Sequence, residues 1–329
     1  MKKLIPFAIL VILLSACGGN RSGNAVSGTA SDNSIKIETP DFNTDSAYAF
    51  VEQQLAFGPR VPNTKAHSGC AAFLARKMAL WTDTVIVQEF VSTLWDNTSV
   101  KGKNIIASVN PMAENRILLA AHWDSRAYAD HDSDTTLWHT PILGANDGAS
   151  GVAVLMEIAR IFRNSGIDIG IDYIFFDLED QGNPEFSPSY VNDSWCLGAQ
   201  HWAKHPHKPF YTAKYGILLD MVGGYNPRFT KEEVSMKFAP GITNKLWTIA
   251  QQLGYGNVFE DVKSDAILDD HLYINQNTNI PVVDIVCNQS GRSFFEHWHT
   301  TGDNIDAIDK NTLGIVAEVV MTLILSENK

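Results

Sequence analysis

The chain of 329 residues holds only four cysteines, and none falls in a C-x-x-C or zinc-knuckle spacing. A cysteine-built metal site is therefore excluded. With Cys17 set aside for reasons given below, Cys70, Cys196 and Cys287 allow at most one disulfide, and three buried free thiols are the equal alternative. No long basic run is present, and 25 Lys+Arg against 37 Asp+Glu leave a formal net charge of −12. That balance argues against nucleic acid as a partner. Internal repeats are absent. Charged residues make up 19% and apolar ones 45%, which is globular rather than disordered composition. The length suits one large domain with a substantial core.

The apolar run Leu4–Leu14 is too short to span a bilayer comfortably. It follows Lys2 and Lys3 and precedes Leu14-Ser15-Ala16-Cys17. This layout is similar to a bacterial lipoprotein signal, with cleavage before Cys17 and lipid on its thiol. Residues 1–17 are thus expected to be a signal segment. Residues 18–40, rich in Gly, Ser and Asn at their start, read as a flexible tether, and 41–329 as the functional domain. The protein is expected to be exported and membrane-anchored through lipid, facing the periplasm or the cell surface.

Periodicity predicts helices over 42–56, with Asn43 or Thr44 as cap, and over 64–81, 148–162, 197–204, 242–253 and 311–325. It predicts strands over 84–92, 103–109, 116–121, 171–178, 215–222 and 280–286. Strands alternating with helices imply an α/β domain with a mixed, mostly parallel sheet covered on both faces. Segments 125–145, 181–196, 222–240 and 287–298 read as long loops, where binding residues concentrate.

Acidic and histidine residues recur at the ends of the apolar runs: His122 and Asp124, Asp147 in GANDGASG, Glu179 and Asp180 in FFDLED, Asp220 in LLDMVGG, and His299 in HWHTTGD. Buried parallel strands would deliver these groups to one rim of the sheet. Carboxylates and imidazoles gathered there call for a cation, and N/O ligands of this kind suit zinc. Small neighbours of Asp147 would let a ligand approach closely. Of the adjacent Glu179 and Asp180, one can bind metal while the other serves as general base.

The order of these motifs resembles the zinc aminopeptidase superfamily over roughly residues 45–325. AHWDSR (121–126), LLDMVGG (218–224), DDHLYI (269–274) and Trp298-His299-Thr300 are more similar to its glutaminyl cyclases. The resemblance implies a single α/β domain with a twisted mixed central sheet. It also implies zinc-dependent cyclisation of the N-terminal Gln of peptides or proteins to pyroglutamate, with release of ammonia. Residue by residue, it implies that Asp147, Asp180 and His299 are zinc ligands and that Glu179 is the general acid/base. Asp220 and Asp269 would be the acids beside it, and Trp298 a wall of the substrate pocket. His122 and Asp124 match the motif that serves a second metal in the aminopeptidases. One Zn2+ is expected of a cyclase, two of an aminopeptidase.

Two departures from the animal cyclases stand out. Asp180 replaces a glutamate, which shortens the ligand by one methylene. Segment 181–196 does not match, leaving Phe186, Tyr190 and Trp195 as alternatives for the second aromatic wall. An aminopeptidase with two co-catalytic metals is the rival function, and a non-catalytic binding ectodomain is a more distant one. Trp81, Trp95 and Trp247 read as packing residues. Asp284 within IPVVDIV either joins the polar network behind the site or faces solvent on an edge. Asp130–Asp134 reads as a solvated loop rather than a calcium site.

Overall fold

The computed structural model describes residues 39–288 and 294–327. The signal segment, Cys17 and nearly all of the tether lie outside the described residues. Among the described residues no helix is long and apolar enough to cross a membrane.

Helices α1 (Thr44–Leu55) and α2 (Lys65–Met78) lead into strands β1 (Thr84–Thr93), β2 (Ser99–Val109) and β3 (Arg116–His122). Helix α3 (Ala149–Phe162) precedes β4 (Gly170–Phe176), and α4 (Leu197–Lys204) precedes β5 (Tyr215–Asp220). Then come β6 (Phe229–Glu232), α5 (Glu233–Phe238), α6 (Pro240–Gln252), β7 (Phe259–Ser264) and α7 (Asp270–Asn277). Strand β8 (Val282–Val286) and helix α8 (Lys310–Glu327) close the chain. Asn43 caps α1 by accepting from the Ser46 N–H, and Thr64 caps α2 by accepting from the His67 N–H.

The six-stranded sheet has the order β1-β2-β4-β3-β5-β8. Strands β4, β3, β5 and β8 run parallel, while β1 and β2 join antiparallel at one side. Every residue of β3, β4, β5 and β8 is buried, as continuous apolar runs covered on both faces require. Alternation splits their side chains between two cores. Leu119, Tyr173, Phe175, Ile217 and Leu219 pack toward α1, α3 and α8. Leu118, Ala120, Ile174, Phe176 and Leu218 pack with Trp202 of α4 and Ile274 of α7.

Several expectations need correcting. Segment 222–240 is not a loop: it contains β6 and α5, and β6 pairs in parallel with β7 in a separate small sheet. Strand β6 has only four residues and β7 is mostly exposed, so neither carries a readable apolar pattern. Strand β2 starts at Ser99 rather than 103, because its first residues pair only with β1 and carry no continuous apolar run. Strands β4 and β5 stop short of the expected 178 and 222. Leu178 and Met221 take left-handed backbone conformations, with φ of 58° and 50°, that turn the chain at the strand ends.

Asp284 does not face solvent. It lies on the edge strand β8 yet is fully buried, because α5 covers that edge, and its N–H donates to Ser235 Oγ of α5 at 2.9 Å. Asp130 is likewise buried rather than solvated, held by Arg126. Cys70, Cys196 and Cys287 are all buried free thiols. Trp247 is buried and Trp81 packs on Phe50, as packing residues should.

Asp172 sits fully buried in the middle of β4. It accepts two hydrogen bonds from Arg116 at 2.7 Å and others from Ser108 and Tyr211. Burial pushes its carboxyl upward, but the Arg116 and Ser108 hydrogen bonds outweigh this and hold it below the usual range. Asp172→Asn is expected to cost about 3–5 kcal/mol near neutral pH, by stranding a buried guanidinium. A depressed carboxyl contributes its stability above the unfolded pKa of about 3.9 and loses it as pH falls through the lower folded value. The gap between wild type and variant in denaturant unfolding should therefore narrow below about pH 4. A gap that does not change with pH would contradict the assignment.

Candidate metal centre and active site

His122 and Asp220 are the last residues of β3 and β5, and Asp147 stands just ahead of α3. Glu179 and Asp180 follow the Leu178 turn beyond β4, Asp269 is the N-cap of α7, and His299 lies in the connection after β8. The chain thus places all of these stations at the carboxyl ends of the parallel strands, where open α/β sheets bind ligands. Asp124 explains how the Glu179–Asp180 turn is held. Its Oδ1 accepts from the Glu179 N–H at 3.2 Å, and its Oδ2 accepts from the Asp180 N–H at 3.3 Å and Gln181 Nε2 at 3.0 Å.

Among the described residues four groups of side chains are spaced to hold an ion, and two of them share Asp147: His122–Asp147–Asp220 and Asp147–Asp180–His299, with ligand atoms within 4.8 Å of one another. In the second group, His299 Nε2 lies 3.0 Å from Asp180 Oδ1 and 3.7 Å from Asp147 Oδ2. Both Asp180 oxygens and Asp147 Oδ2 are buried without a hydrogen-bond partner. Burial and the charge of Asp147 push Asp180 well above the usual carboxylate range. Burial, reinforced by Arg126, holds His299 well below its ordinary value and therefore neutral, the form that ligates metal. Orphaned carboxylate oxygens beside a neutral imidazole fit a zinc ion chemically. In the other group, His122 Nε2 contacts Asp147 Oδ1 at 3.0 Å and Asp220 Oδ1 at 3.2 Å directly.

The shortness of Asp180 is met by its backbone. Arg126 Nη1 donates to the Asp180 carbonyl at 2.9 Å, fixing the turn that carries the side chain. A Cβ on Gly148 would lie 2.4 Å from the His122 carbonyl oxygen, so glycine is required for this close approach behind Asp147. The Asp147–Gly148 peptide is cis.

Glu179 lies beside Asp269 and Cys196. The buried Cys196 thiol donates to Glu179 Oε1 at 3.2 Å. Burial raises Glu179 well above the usual carboxylate range, with His122 opposing and Asp269 adding to the effect. Asp220 is pushed up to about 7 by burial, against its hydrogen bond with His122. Asp220 thus touches His122, while Asp269 is the acid that flanks Glu179. Behind Asp269, His271 lies between Glu232 and Asp284, 3.2 and 3.6 Å away.

A cavity of about 260 Å³ opens over these groups. Trp298 and Trp195 both line it. Trp298 stacks on His299 with ring centroids 3.8 Å apart, and Trp195 lies parallel to the same imidazole at 5.8 Å. Of the three candidates for the second wall, Trp195 is the one in the cavity. Phe186 instead packs with His139 and Tyr128, and Tyr190 is exposed. Leu268 and Phe294 add an apolar rim.

Sequence reasoning missed two supporting acids. Asp303, the last residue of HWHTTGD, accepts from the Asn146 and Asp147 N–H groups at 2.8 and 3.1 Å. Asp130 Oδ1 lies 3.6 Å from His299 Nδ1, where it can orient that ring. The position of Asp303 inside a quoted motif was the one available signal. Asp130 was hidden in an acidic stretch that reads as solvated.

A parallel α/β sheet with Asp/His ligand sets at its strand ends defines the zinc exopeptidase-like class. The peptidase family M28 model matches residues 104–324, and the chain belongs to that family. Among solved structures, a Zn-dependent exopeptidase from Parabacteroides distasonis is 49% identical, covers 87% of this chain and 99% of its own, and superposes with a TM-score of 0.86. The Bacteroides thetaiotaomicron glutaminyl cyclase bound to N-acetylhistamine is 48% identical over 88% of this chain and 99% of its own, with a TM-score of 0.86. The glutaminyl-peptide cyclotransferase of Bothrops jararaca is 26% identical over 68% of this chain. The match spans 64% of that relative's length.

The Asp303 bonds set where Asp147 points. Asp303→Ala is expected to weaken zinc binding about 10–100-fold, the usual effect of removing an outer support. Competition against a chromophoric chelator measures this, and unchanged affinity would remove Asp303 from the metal centre.

Proposed function

We propose that this chain cyclises the N-terminal glutaminyl residue of a peptide or protein to pyroglutamate, with release of ammonia. The observation that carries the reading is the small pocket in which Glu179 and the Asp147–Asp180–His299 group share one cavity with Trp195 and Trp298. Its volume, about 260 Å³, suits one compact residue. The glutaminyl cyclase of Bacteroides thetaiotaomicron, at 48% identity over nearly its whole length, supports the same reading.

In the reaction the α-amine nitrogen forms a bond to the γ-carbonyl carbon, and the bond from that carbon to the amide nitrogen breaks. Asp147, Asp180 and His299 would hold a zinc ion, which would supply Lewis acidity to the reaction. Glu179 takes a proton from the attacking amine and returns it to the departing nitrogen, so ammonia leaves and no net proton is needed. A carboxyl raised by burial suits this two-way transfer near neutral pH. The Cys196 thiol fixes Glu179 Oε1, and Asp269 raises the proton affinity of the pair. The indoles exclude water and hold the glutamine side chain folded back toward its own amine.

A single zinc ion fits best. Orphaned oxygens of Asp147 and Asp180 stand beside the neutral His299, whereas His122 Nε2 is already engaged with Asp147 and Asp220. The second reading, an aminopeptidase with two metals, draws on the spacing of His122, Asp147 and Asp220. At the amino terminus, residues 1–17 carry a separate proposal, export and lipid anchoring through Cys17. Cell fractionation should find Cys17→Ser protein released from the membrane, and retention there would refute it.

Zinc-loaded protein lacking residues 1–35 is expected to take 17 Da, as ammonia, from a peptide beginning with Gln, as mass spectrometry would record. Removal of the first residue with two zinc ions per chain would establish the aminopeptidase instead. Glu179→Gln should lower kcat at least about 10²–10⁴-fold while metal analysis finds the zinc retained. Near-normal turnover in that variant would remove Glu179 from the mechanism.

A further inference from the structure

Trp195 closes the long 181–196 connection, a segment type that is mobile by default. Its indole is nevertheless gripped from several directions. The Arg126 guanidinium lies 4.5 Å from the centroid of the Trp195 ring. That guanidinium is 1% exposed, and it donates twice to Asp130, once to the Asp180 carbonyl and once to the Asn183 carbonyl. With every arm engaged, the planar cation cannot swing away from the ring. Gly182 lies against the same indole. A Cβ there would come 2.1 Å from Trp195 Cδ2 and Cε2, atoms at the fused centre of the ring system. Toward the pocket, the indole stands within 6° of parallel to His299.

We propose that Arg126 and Gly182 are positioning residues that lock Trp195 as a preformed wall of the substrate pocket. The inference rests on the cyclase reading for the identity of the substrate. The Arg126 fork joins the wall to the backbone of Asp180, so the distance from wall to metal-ligand turn is set by one buried cation. A wall already immobile spares the substrate the entropy of ordering it, and this appears in binding rather than in the chemical step. Lysine at 126 would keep the charge but lose the flat stacking face and the paired bonds to Asp130. Gly182 is the cleaner probe: its backbone is outside the left-handed region, and the closest atoms an alanine methyl would meet belong to the indole.

The test uses zinc-loaded enzyme and a Gln-peptide. Gly182→Ala should raise KM about 3–10-fold, with kcat within about twofold, whereas Arg126→Lys should raise KM and also weaken zinc binding through the Asp180 turn it supports. Zinc content of Gly182→Ala, read by metal analysis, should not change. Trp195→Ala should raise KM at least as much, and adding Gly182→Ala to it should have no further effect, since the residue it displaces is gone. A wild-type KM in Gly182→Ala would overturn the proposal. So would an effect that persists without Trp195, or a loss confined to kcat and accompanied by loss of zinc. If Arg126→Lys fails to fold, the Gly182–Trp195 cycle still decides. Wild-type enzyme that releases no ammonia would sink the cyclase reading and this proposal with it; an active wild type with unaltered Gly182→Ala kinetics would sink only this one.

Discussion

Repulsion among buried carboxylates governs this molecule. Asp124, Asp147, Glu179, Asp180, Asp220, Asp269, Asp270 and Asp303 are all buried at one end of the sheet. Such a crowd is tolerable only if cations or hydrogen-bond donors reach every member. Asp124 and Asp303 are satisfied by backbone N–H groups, and Asp130 by a guanidinium. Asp147 and Asp180 retain buried oxygens with no partner in the protein, and His299 stands neutral between them. Asp269, Asp270 and Asp284 also keep buried oxygens without a partner, so what marks the Asp147–Asp180 point as a metal centre is the neutral imidazole of His299 set beside its orphaned oxygens.

The backbone is bent to create that convergence. Consecutive strand residues point to opposite faces, so Glu179 and Asp180 cannot share a site while they remain in β4. The left-handed turn at Leu178 takes them out of the strand, and Asp124 catches both N–H groups as they emerge. Met221 and His299 take the same kind of conformation at the ends of their own segments. Arg60 braces the opposite side. It is fully buried and donates to the carbonyls of Trp123, Leu143 and Gly144, tying the end of β3 to the turn before Asp147. The positions of Asp147 and Asp180 are thus set by donors and acceptors outside the ligand set itself.

Much of this was legible because charge at the end of an apolar run is a strong local signal. Strands β3, β4, β5 and β8 announce themselves as apolar runs, broken only by Asp172 in β4 and Asp284 in β8, and the His122, Glu179, Asp180 and Asp220 at or just beyond their ends follow from that. The parts that could not be read depend on tertiary partners. Strand β6 and helix α5 are short and hold Glu232, a buried acid that caps α5 and faces His271. Nothing in local sequence tells such an acid from a solvated one. Asp284 was ambiguous for the same reason, since its burial depends on a helix that was not anticipated. Trp195 could not be separated from Phe186 and Tyr190, because the choice among three aromatics in one loop is made by Arg126 and Gly182, both remote from any periodic pattern.

The same logic bears on the two readings of the metal count proposed for this site. A second cation would have to take Asp147 and Asp220 from His122, whose Nε2 stands 3.0 and 3.2 Å from them. Burial alone would favour a neutral ring, but hydrogen bonds with Asp124, Asp147 and Asp220 outweigh it and raise His122 well above its ordinary value. Hydrogen bonds with these carboxylates favour positive charge on the ring, beside the acids that the two-metal reading would give to a second ion. The ring supplies none of the open coordination that activates a water molecule. Hydrolysis of a peptide bond needs that water, whereas closing a glutamine onto its own amine needs a nucleophile the substrate already carries. The cyclase reading joins these two points: an imidazole at His122 already engaged with Asp147 and Asp220, and a nucleophile that the substrate itself brings to a pocket walled by Trp195 and Trp298.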